Sequence, residues 1–401
     1  MDFGTLLSAL MSERGLGVRA LARRVPCDPA LVSRLAAGRQ QPSAQIARRV
    51  DDILSAGGEL AVLAAMPPGP TFDDDLGAVE AARRAGASDV GNAAVERLAQ
   101  VTDALAISYP STAPKELLSR AGTYLAYVTG LLDKRMTLAQ HSRLLVTSGW
   151  LSLLAATSLI DLRRHDTAAT YLSTAIQIAV EADHAELRAW SLETRAWQAL
   201  ISRDYPQAAA LARDAQDTAP RGTSVFVQAT AQEGRAWARL GAARETYDAL
   251  ARVEALVSPL PVPEHPEHHY VYDPSKAESY VGTTLAWIGD PAAERIARHV
   301  LERIESGADG SPRPRRAVAA RLDLALALAG AGRLDESEGI TLDAVTSGWM
   351  VPSHYWRAEE IIAAIGTRDA GGKGRLREAF TEARLALAPA PNPDAPRGPE
   401  S

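Results

Sequence analysis

The feature that most constrains the fold is a series of short polar turns that recur roughly every 40 residues. Each turn follows one apolar segment with helical spacing and precedes another. Small side chains stand about eight positions before several turns, as at Ala196, Gly234, Gly282 and Ala325, which lets two helices pack closely. This spacing predicts repeated helical hairpins of the tetratricopeptide-like (TPR-like) kind, whose ideal period is about 34 residues. A helical bundle without a superhelix is the alternative. The turns are Arg164-His165, Arg203-Asp204, Gly241-Ala242, Gly289-Asp290 and Gly332-Arg333.

The composition favours helices throughout the chain. Apolar residues make up 46% of the sequence but aromatic residues only 5%. Cores must therefore be built mainly from Ala, Leu and Val, and the abundance of Ala and Leu favours helices over sheets. No sustained alternation of apolar and polar residues predicts a strand. We expect an all-α fold.

Proline-rich stretches divide the chain. Three prolines in the four residues 67–70 cannot continue a helix and predict a linker. We therefore expect a first domain, the head, over residues 1–66, a linker over 67–76, a helical-repeat body over 77–388 and a disordered tail over 389–401. The head carries eight Arg against six acidic residues, although the whole chain has a net charge of −6. A basic head on an acidic body permits binding of nucleic acid by the head.

Sequence signals in the head predict five short helices over residues 4–60, two of which form a helix-turn-helix. Asp28 is a helix N-cap residue and Pro29 suits a first helical turn, so a new helix begins there. Gly38 ends that helix, and Ser43 begins the next. Apolar residues with helical spacing on both sides of the turn predict the packed face; they are Leu21, Val25, Val32 and Leu35.

This pattern resembles the Cro/CI-type (XRE) helix-turn-helix family. The resemblance rests on Leu21-Ala22, Asp28-Pro29, Val32-Ser33-Arg34-Leu35, Gly38-Arg39 and Pro42-Ser43. Segments of the body resemble the TPR-like halves of a group of bacterial XRE regulators: Asp89-Val90-Gly91, Tyr109-Pro110, Glu116-Leu117-Leu118, Thr137-Leu138-Ala139-Gln140 and Gly149-Trp150-Leu151. The resemblance implies a transcriptional regulator of development or specialised metabolism, distantly related to peptide-responsive regulators.

Two residues depart from the family pattern. Val18 stands near a position where family members often have Gln or Ser that contacts a phosphate. Pro26 stands where the family usually has Gly in the turn. Because proline cannot readily supply the positive φ that glycine adopts there, we expect the turn to differ locally and the docking of the second helix on DNA to shift.

The helix that begins at Pro29 would place its early exposed residues in the major groove. Arg34 is the strongest base-contacting candidate, because a guanidinium can bond bidentately to guanine. Phosphate contacts position the protein without specifying sequence. An alternative is that these arginines only solvate a helical surface. The candidates for base contact are Pro29, Ala30, Ser33 and Arg34, and those for phosphate contact are Arg19, Arg23, Arg39, Gln40, Gln41 and Ser43.

Tryptophans beside arginines on the first helices of successive hairpins predict a ligand groove in the body, since those helices line the concave face of such repeats. Packing of tryptophan between helices is the alternative. The groove candidates are Trp190, Arg195, Trp197, Arg235 and Trp237.

The His-rich tract at 264–269 is expected to be a solvated, metal-free loop. Cys27, the one cysteine, is expected to be a small buried thiol, and it excludes an intramolecular disulfide framework.

These patterns together predict a sequence-specific transcriptional regulator with double-stranded DNA as its partner. One head has a small footprint, so a homodimer on two half-sites is expected. A small molecule, a peptide or a protein would bind the groove. The alternative is a TPR-like adaptor between proteins with a structural head. No catalytic signature, cofactor site or membrane partner is expected, no apolar run approaches the ~20 residues of a membrane span, and the expected location is the cytoplasm.

Overall fold

The computed structural model describes residues 3–65, 89–272, 274–306, 313–368 and 373–387. The chain divides into two compact units, residues 1–77 and 78–401. Within the described residues all regular secondary structure is helical, which confirms the predicted fold class. The predicted linker at 67–76, residues 77–88 and the predicted tail at 389–401 lie outside the described residues.

The head contains the five predicted helices. Its core is a set of apolar side chains drawn from all five, including the fully buried Leu7, Leu21, Leu35, Leu54 and Leu60. Burial of each such side chain contributes about 1.5–3 kcal/mol. The helices are α1 (Phe3–Glu13), α2 (Val18–Arg24), α3 (Pro29–Ala36), α4 (Ala44–Leu54) and α5 (Glu59–Ala65).

Side-chain caps set where α3 and α4 begin, as predicted. The carboxylate of Asp28 accepts a hydrogen bond from the backbone N–H of Ala30 at 2.8 Å, and Pro29 occupies the first turn of α3. The Ser43 hydroxyl accepts from the N–H of Ile46 at 3.3 Å. Each cap satisfies a helix N–H that has no partner within the helix.

The turn between α2 and α3 corrects the expectation for Pro26. The structure holds Pro26 at φ 27°, so the turn keeps the positive φ that a glycine would supply there. The reason is the backbone hydrogen bond from Cys27 N–H to the Ala22 carbonyl at 3.1 Å, which closes the end of α2 in the manner of a Schellman motif. Because the pyrrolidine ring resists a positive φ, this turn is locally strained.

Gly4 allows α1 to lie directly against the end of α3. A Cβ at Gly4 would stand 2.8 Å from both the Gly38 nitrogen and the Leu35 carbonyl oxygen, and backbone atoms cannot rotate away. We expect Gly4→Ala to destabilise the head by about 1–3 kcal/mol, the usual cost of overpacking. Amide hydrogen exchange of the full-length protein should show faster exchange across α1 and α3.

The matched control for this substitution is Gly17→Ala, where an added Cβ meets nothing within 4 Å. Exchange in the head should then change little. Equal exchange in Gly4→Ala and in the unmodified protein would contradict the close approach of α1 to α3.

The body contains fourteen described α-helices and two short 3-10 segments, Tyr109–Ser111 and Pro352–His354. The helices are α6 (Asn92–Ser108), α7 (Pro114–Leu132), α8 (Leu138–Asp161), α9 (His165–Glu181), α10 (Ala185–Ile201), α11 (Tyr205–Thr218), α12 (Ser224–Arg239), α13 (Ala243–Val257), α14 (Pro274–Ile288), α15 (Ala292–Glu305), α16 (Pro314–Gly330), α17 (Leu334–Thr346), α18 (Tyr355–Arg368) and α19 (Lys373–Leu387).

The packing of these helices is consistent with the predicted TPR-like repeat. From α6 onward each helix contacts the next, and the first helices of the hairpins, α8, α10, α12, α14, α16 and α18, also contact one another in series. Small residues make the close approaches that the sequence predicts. A Cβ at Gly234 on α12 would stand 2.9 Å from the Cβ of Ala249 on α13. The first helices therefore form one continuous inner layer.

Helix α8 corrects the expectation that no apolar run is long enough to cross a membrane. An 18-residue window of this helix has a mean hydropathy of 1.5, which passes the test of length and composition for a span. In the structure 83% of that window is buried within the body. A central helix that is packed on all sides needs the same all-round apolar surface.

Candidate functional site

All ten side chains predicted to contact DNA are exposed on the head. Pro29, Ala30, Ser33 and Arg34 lie on α3, whereas Val32 and Leu35 of the same helix are buried in the core. Ala30, Ser33 and Arg34 share one face because residues three and four apart on a helix are neighbours. The structure thus brings the predicted base-contacting residues together on one solvent-facing side of α3.

A contact that the sequence did not predict fixes Arg34. Its Nε donates a hydrogen bond to Oε1 of Gln40 at 2.8 Å. The described residues offer no partner to the two terminal Nη atoms, which remain available as a fork for an acceptor pair such as guanine O6 and N7. Gln40 orients the arginine through its amide oxygen, and its contact with a phosphate stays a prediction.

Arg39 and Ser43 lie in the segment that follows α3, and both are exposed. The Arg39 N–H donates to the Arg34 carbonyl at 2.9 Å across Gly38, which has φ 67° as in a Schellman motif. The Ser43 hydroxyl is already engaged as the cap of α4. The N-terminus of that helix still offers backbone N–H groups, which favour a phosphate.

Two further head residues differ from expectation. Cys27 is half-buried, not fully buried, and desolvation together with the neighbouring Asp28 raises the pKa of its thiol. A protonated thiol is a poor nucleophile, which favours a packing role.

Asp51 was not predicted at all. Its buried carboxylate accepts from the N–H groups of Gly58 at 2.7 Å and Leu60 at 2.8 Å, and so holds the start of α5 against α4.

Beside the inner layer of the body lies a cavity of about 230 Å³ that is partly open to solvent. Residues from the six first helices α8, α10, α12, α14, α16 and α18 line it, together with residues from α15, the His-rich tract and the two 3-10 segments. Three of the five predicted groove residues are in its wall, namely Trp190, Trp197 and Arg235. Arg195 and Trp237 are not.

Trp237 belongs to a separate, half-buried cluster around Glu233. The Trp237 indole Nε1 donates to Glu233 Oε1 at 3.2 Å, and the Arg213 guanidinium lies 4.8 Å from the Trp237 ring centre. Burial would raise the pKa of Glu233, but hydrogen bonds from Arg252, Gln216, Arg213 and Trp237 lower it to about 2. This cluster joins α11, α12 and α13 and explains why Trp237 faces away from the cavity.

Three guanidinium groups lie around the indole of Trp287, and two of them, those of Arg235 and Arg357, line the cavity. Arg235 and Arg239 each lie 5.2 Å from its ring centre, and Arg357 lies 5.6 Å away. Distances below about 6 Å are typical of cation–π attraction. Arg239 forms an ion pair with Glu360 at 2.7 Å, and Arg357 pairs with Asp323 at 2.9 Å. Each of these two charges is therefore compensated.

Arg235 has no carboxylate in ion-pair contact within the described part of the chain. Its side chain is buried, and its Nη1 donates to the neutral Gln232 side chain at 2.9 Å. Burial lowers the pKa of Arg235 to about 10, so the group remains charged at neutral pH. A buried, uncompensated cation is costly unless an anion meets it.

Glu193 is a buried carboxyl in the same cavity wall. Burial raises its pKa to about 7, although the hydrogen bond from Gln228 and the nearby charges of Arg235 and Lys276 oppose the shift. Gln228 Nε2 donates to Glu193 at 2.9 Å and to the Tyr280 hydroxyl at 2.8 Å. The sequence did not single out Glu193; its one signal is a charged residue on the tryptophan-bearing face of α10.

The His-rich tract is only partly the solvated loop that we expected. His265 is exposed, but His269 lines the cavity, with its ring centre 4.1 Å from that of Tyr109. Burial lowers the pKa of His269 well below its usual range. The Lys276 ammonium donates to the carbonyls of His268 and His269 at 3.0 and 2.9 Å. The tract folds inward because Tyr270, which follows it, is buried beside Trp150 and Trp190.

Asp161, at the end of α8, joins segments that are far apart in sequence. Its carboxylate accepts hydrogen bonds from Tyr109 at 2.8 Å, Arg315 at 3.1 Å and Ser353 at 2.7 Å. The Arg315 guanidinium also lies 4.7 Å from the Tyr109 ring centre. We call these four residues the Asp161 clasp. It connects the beginning, middle and end of the body beside the cavity.

No group of three or more His, Cys, Asp or Glu side chains within the described ranges is placed to hold a metal ion. The cavity therefore presents cations, indoles and isolated carboxyls. Such a wall can bind an organic molecule through charge, hydrogen bonds and ring contacts.

Comparison with known proteins identifies a matching family for one part of the chain. Residues 2–63 match the model of a family described as a helix-turn-helix domain. No curated protein matches the chain. The match spans all but the last two residues of α1–α5 and includes the exposed face of α3. The head is a helix-turn-helix domain, and a domain of this kind indicates DNA-binding regulation.

Proposed function

We propose that this protein is a sequence-specific transcriptional regulator of the XRE type, which binds double-stranded DNA through α3. The observation that carries the proposal is the exposed face of α3, where Gln40 holds Arg34 with both Nη atoms available. Helix-turn-helix domains place such a helix in the major groove. The regulator needs access to the chromosome, so we place it in the cytoplasm and assign it no catalytic role or cofactor.

A homodimer on two half-sites is part of the proposal. One α3 helix reaches too few bases for useful specificity, and dimers of this class bind half-sites about 34–36 Å apart. We assign dimerisation and sensing to the TPR-like body. Sedimentation of the full-length protein and footprints on fragments selected from genomic DNA test this assignment. A monomer that protects a single short site would contradict it.

The sharpest test compares Arg34→Ala with Arg39→Ala. Loss of a bidentate guanine contact should cost about 1–3 kcal/mol of binding and relax preference at one position of each half-site. Arg39 follows α3 and is assigned to phosphate, so its loss should weaken binding to all sequences alike. It should also flatten the salt dependence by about one unit per head. Affinity for a panel of single-base operator variants at two salt concentrations measures both effects.

Arg34→Lys is the matched control, because lysine keeps the charge but lacks the planar fork. It should retain the salt dependence and lose the guanine preference. Gln40→Ala should relax the same position less than Arg34→Ala, since it removes only the orienting bond. If Arg34→Ala keeps the wild-type preference at every position, α3 does not dock in this way.

The adaptor alternative makes a different prediction for the same measurements. A head with only a structural role would show no sequence preference and no loss on replacement of Arg34 or Arg39. Sensing by the body requires that a ligand bind two states of the protein with different DNA affinities. The cavity in the inner layer of the body is the proposed place for that ligand.

A further inference from the structure

Arg235 retains unused binding capacity in the cavity wall. Its Nη1 bonds Gln232, and its Nε is buried without a hydrogen-bond partner in the described residues. The Nη2 atom also has no hydrogen-bond partner among the described residues, and unlike Nε it is not fully buried. Since the neighbouring Arg239 and Arg357 are each paired with a carboxylate, Arg235 is the cation of this group that an incoming anion would meet.

Trp197 supplies an apolar surface beside this cation. It lies on α10, which contacts the helix of Arg235, α12. Its side chain lines the cavity and is half-exposed. Unlike Trp190, Trp287 and Trp356, which contact other rings, it has no aromatic or cationic partner in the described part of the chain. A flat, apolar molecule can therefore pack against its indole.

The charge balance of the wall limits the ligand to about one negative charge. Five cationic side chains and four carboxyls line the cavity, and burial keeps the pKa values of His269 and His354 low enough for both to be neutral. At a pH above the pKa of Glu193, which is about 7, all four carboxyls are ionised and the surplus is one positive charge. A doubly charged phosphate would also stand near the carboxyls of Glu193 and Asp323, which repel it.

We propose that the cavity binds a small organic carboxylate with a planar apolar part, its acid group on Arg235 and its ring against Trp197. The volume of about 230 Å³ suits a small molecule, since a cavity of about 150 Å³ already holds benzene. A folded peptide or protein segment would not fit inside. That this binding changes DNA affinity rests on the proposed function.

The test uses the full-length protein and three defined probes: indole-3-acetate, its neutral amide and phenyl phosphate. Quenching of tryptophan fluorescence and isothermal calorimetry measure binding. We expect the carboxylate to bind at least tenfold more tightly than the amide and the phosphate. Equal affinity for carboxylate and amide, or no binding of the carboxylate, would overturn the proposal.

Two pairs of variants locate the site. Arg235→Gln should weaken carboxylate binding at least tenfold and leave amide binding unchanged, whereas Arg195→Gln, outside the cavity wall, should change neither. Trp197→Leu should weaken both ligands several-fold, whereas Trp237→Phe should not. Circular dichroism confirms folding of each variant. Should Arg235→Gln fold and bind the carboxylate like the unmodified protein, the assignment of the acid group is wrong.

Separate measurements distinguish this inference from the proposed function. Operator binding is measured first without any carboxylate, and its absence would refute the regulator while leaving carboxylate binding testable. If the carboxylate binds through Arg235 but operator affinity stays the same, the site stands and the sensing role fails. If operator binding is intact and the carboxylate does not bind, this inference alone fails.

Discussion

Asp161→Ala is expected to lower the free energy of unfolding of the body by about 3–5 kcal/mol, the usual cost of removing one partner from a buried ion pair. The side chains of Asp161 and Arg315 are only 3% and 6% exposed. Without the carboxylate, the Arg315 guanidinium remains buried with no counter-ion among the described residues, and the hydroxyls of Tyr109 and Ser353 lose their acceptor.

Tryptophan fluorescence during urea unfolding reports this change selectively, because all seven tryptophans lie between residues 150 and 356 and none lies in the head. Asp161→Asn keeps the volume of the side chain but removes the charge that compensates Arg315, so it should also be strongly destabilising. The exposed Asp214→Ala on α11 is the control and should change stability by less than about 0.5 kcal/mol. A loss below 1 kcal/mol in both Asp161 variants would show that the clasp does not stabilise the body.

The head could be predicted almost helix by helix because its signals are local. Asp28 and Ser43 mark helix starts through their own side chains, and Gly38 marks an end through its positive φ. The prediction that the turn at Pro26 would lack a positive φ was wrong, and the reason lies in the backbone hydrogen bonding at that turn. A residue rule for proline does not include the hydrogen bond from Cys27 to Ala22, which holds the turn in place.

The repeat of the body could be predicted, but the membership of the cavity could not be fully assigned. Residues two apart on a helix point in different directions, so Arg235 and Trp237 could not both face inward. Neither could Arg195 and Trp197. The structure places Arg235 and Trp197 in the wall. Helical geometry shows that only one residue of each pair can face the cavity. Which one does so depends on how each helix is rotated about its own axis.

The Asp161 clasp lay beyond sequence reasoning. Arg315 and Ser353 stand 154 and 192 positions after Asp161, and no periodic pattern links such distances. A charged residue at the end of the apolar α8 is a signal that something compensates it. The identity of the partner depends on how the whole series of helices brings its ends together.

Glu193→Gln is expected to stabilise the body by about 4 kcal/mol at pH 8 and to leave it almost unchanged near pH 4. Burial raises the pKa of Glu193 to about 7 in the folded protein, against about 4.3 in an unfolded chain. Below pH 4 the carboxyl is protonated in both states. As the pH rises towards 7, the unfolded chain releases its proton first, so the folded state loses stability at about 1.4 kcal/mol per pH unit.

The measurement is the difference in unfolding free energy between the two proteins from pH 4 to pH 8, followed by tryptophan fluorescence. A difference is needed because His354 contributes with the opposite sign: burial lowers its pKa to about 3, so its share of stability is lost as the pH falls. Glutamine can still accept the hydrogen bond from Gln228, which keeps the local packing. Glu181→Gln, an exposed carboxyl at the end of α9, is the control and should give a flat difference. A flat difference for Glu193→Gln as well would mean that Glu193 is ionised in the folded body at neutral pH, and the surplus positive charge of the cavity would then be one rather than two.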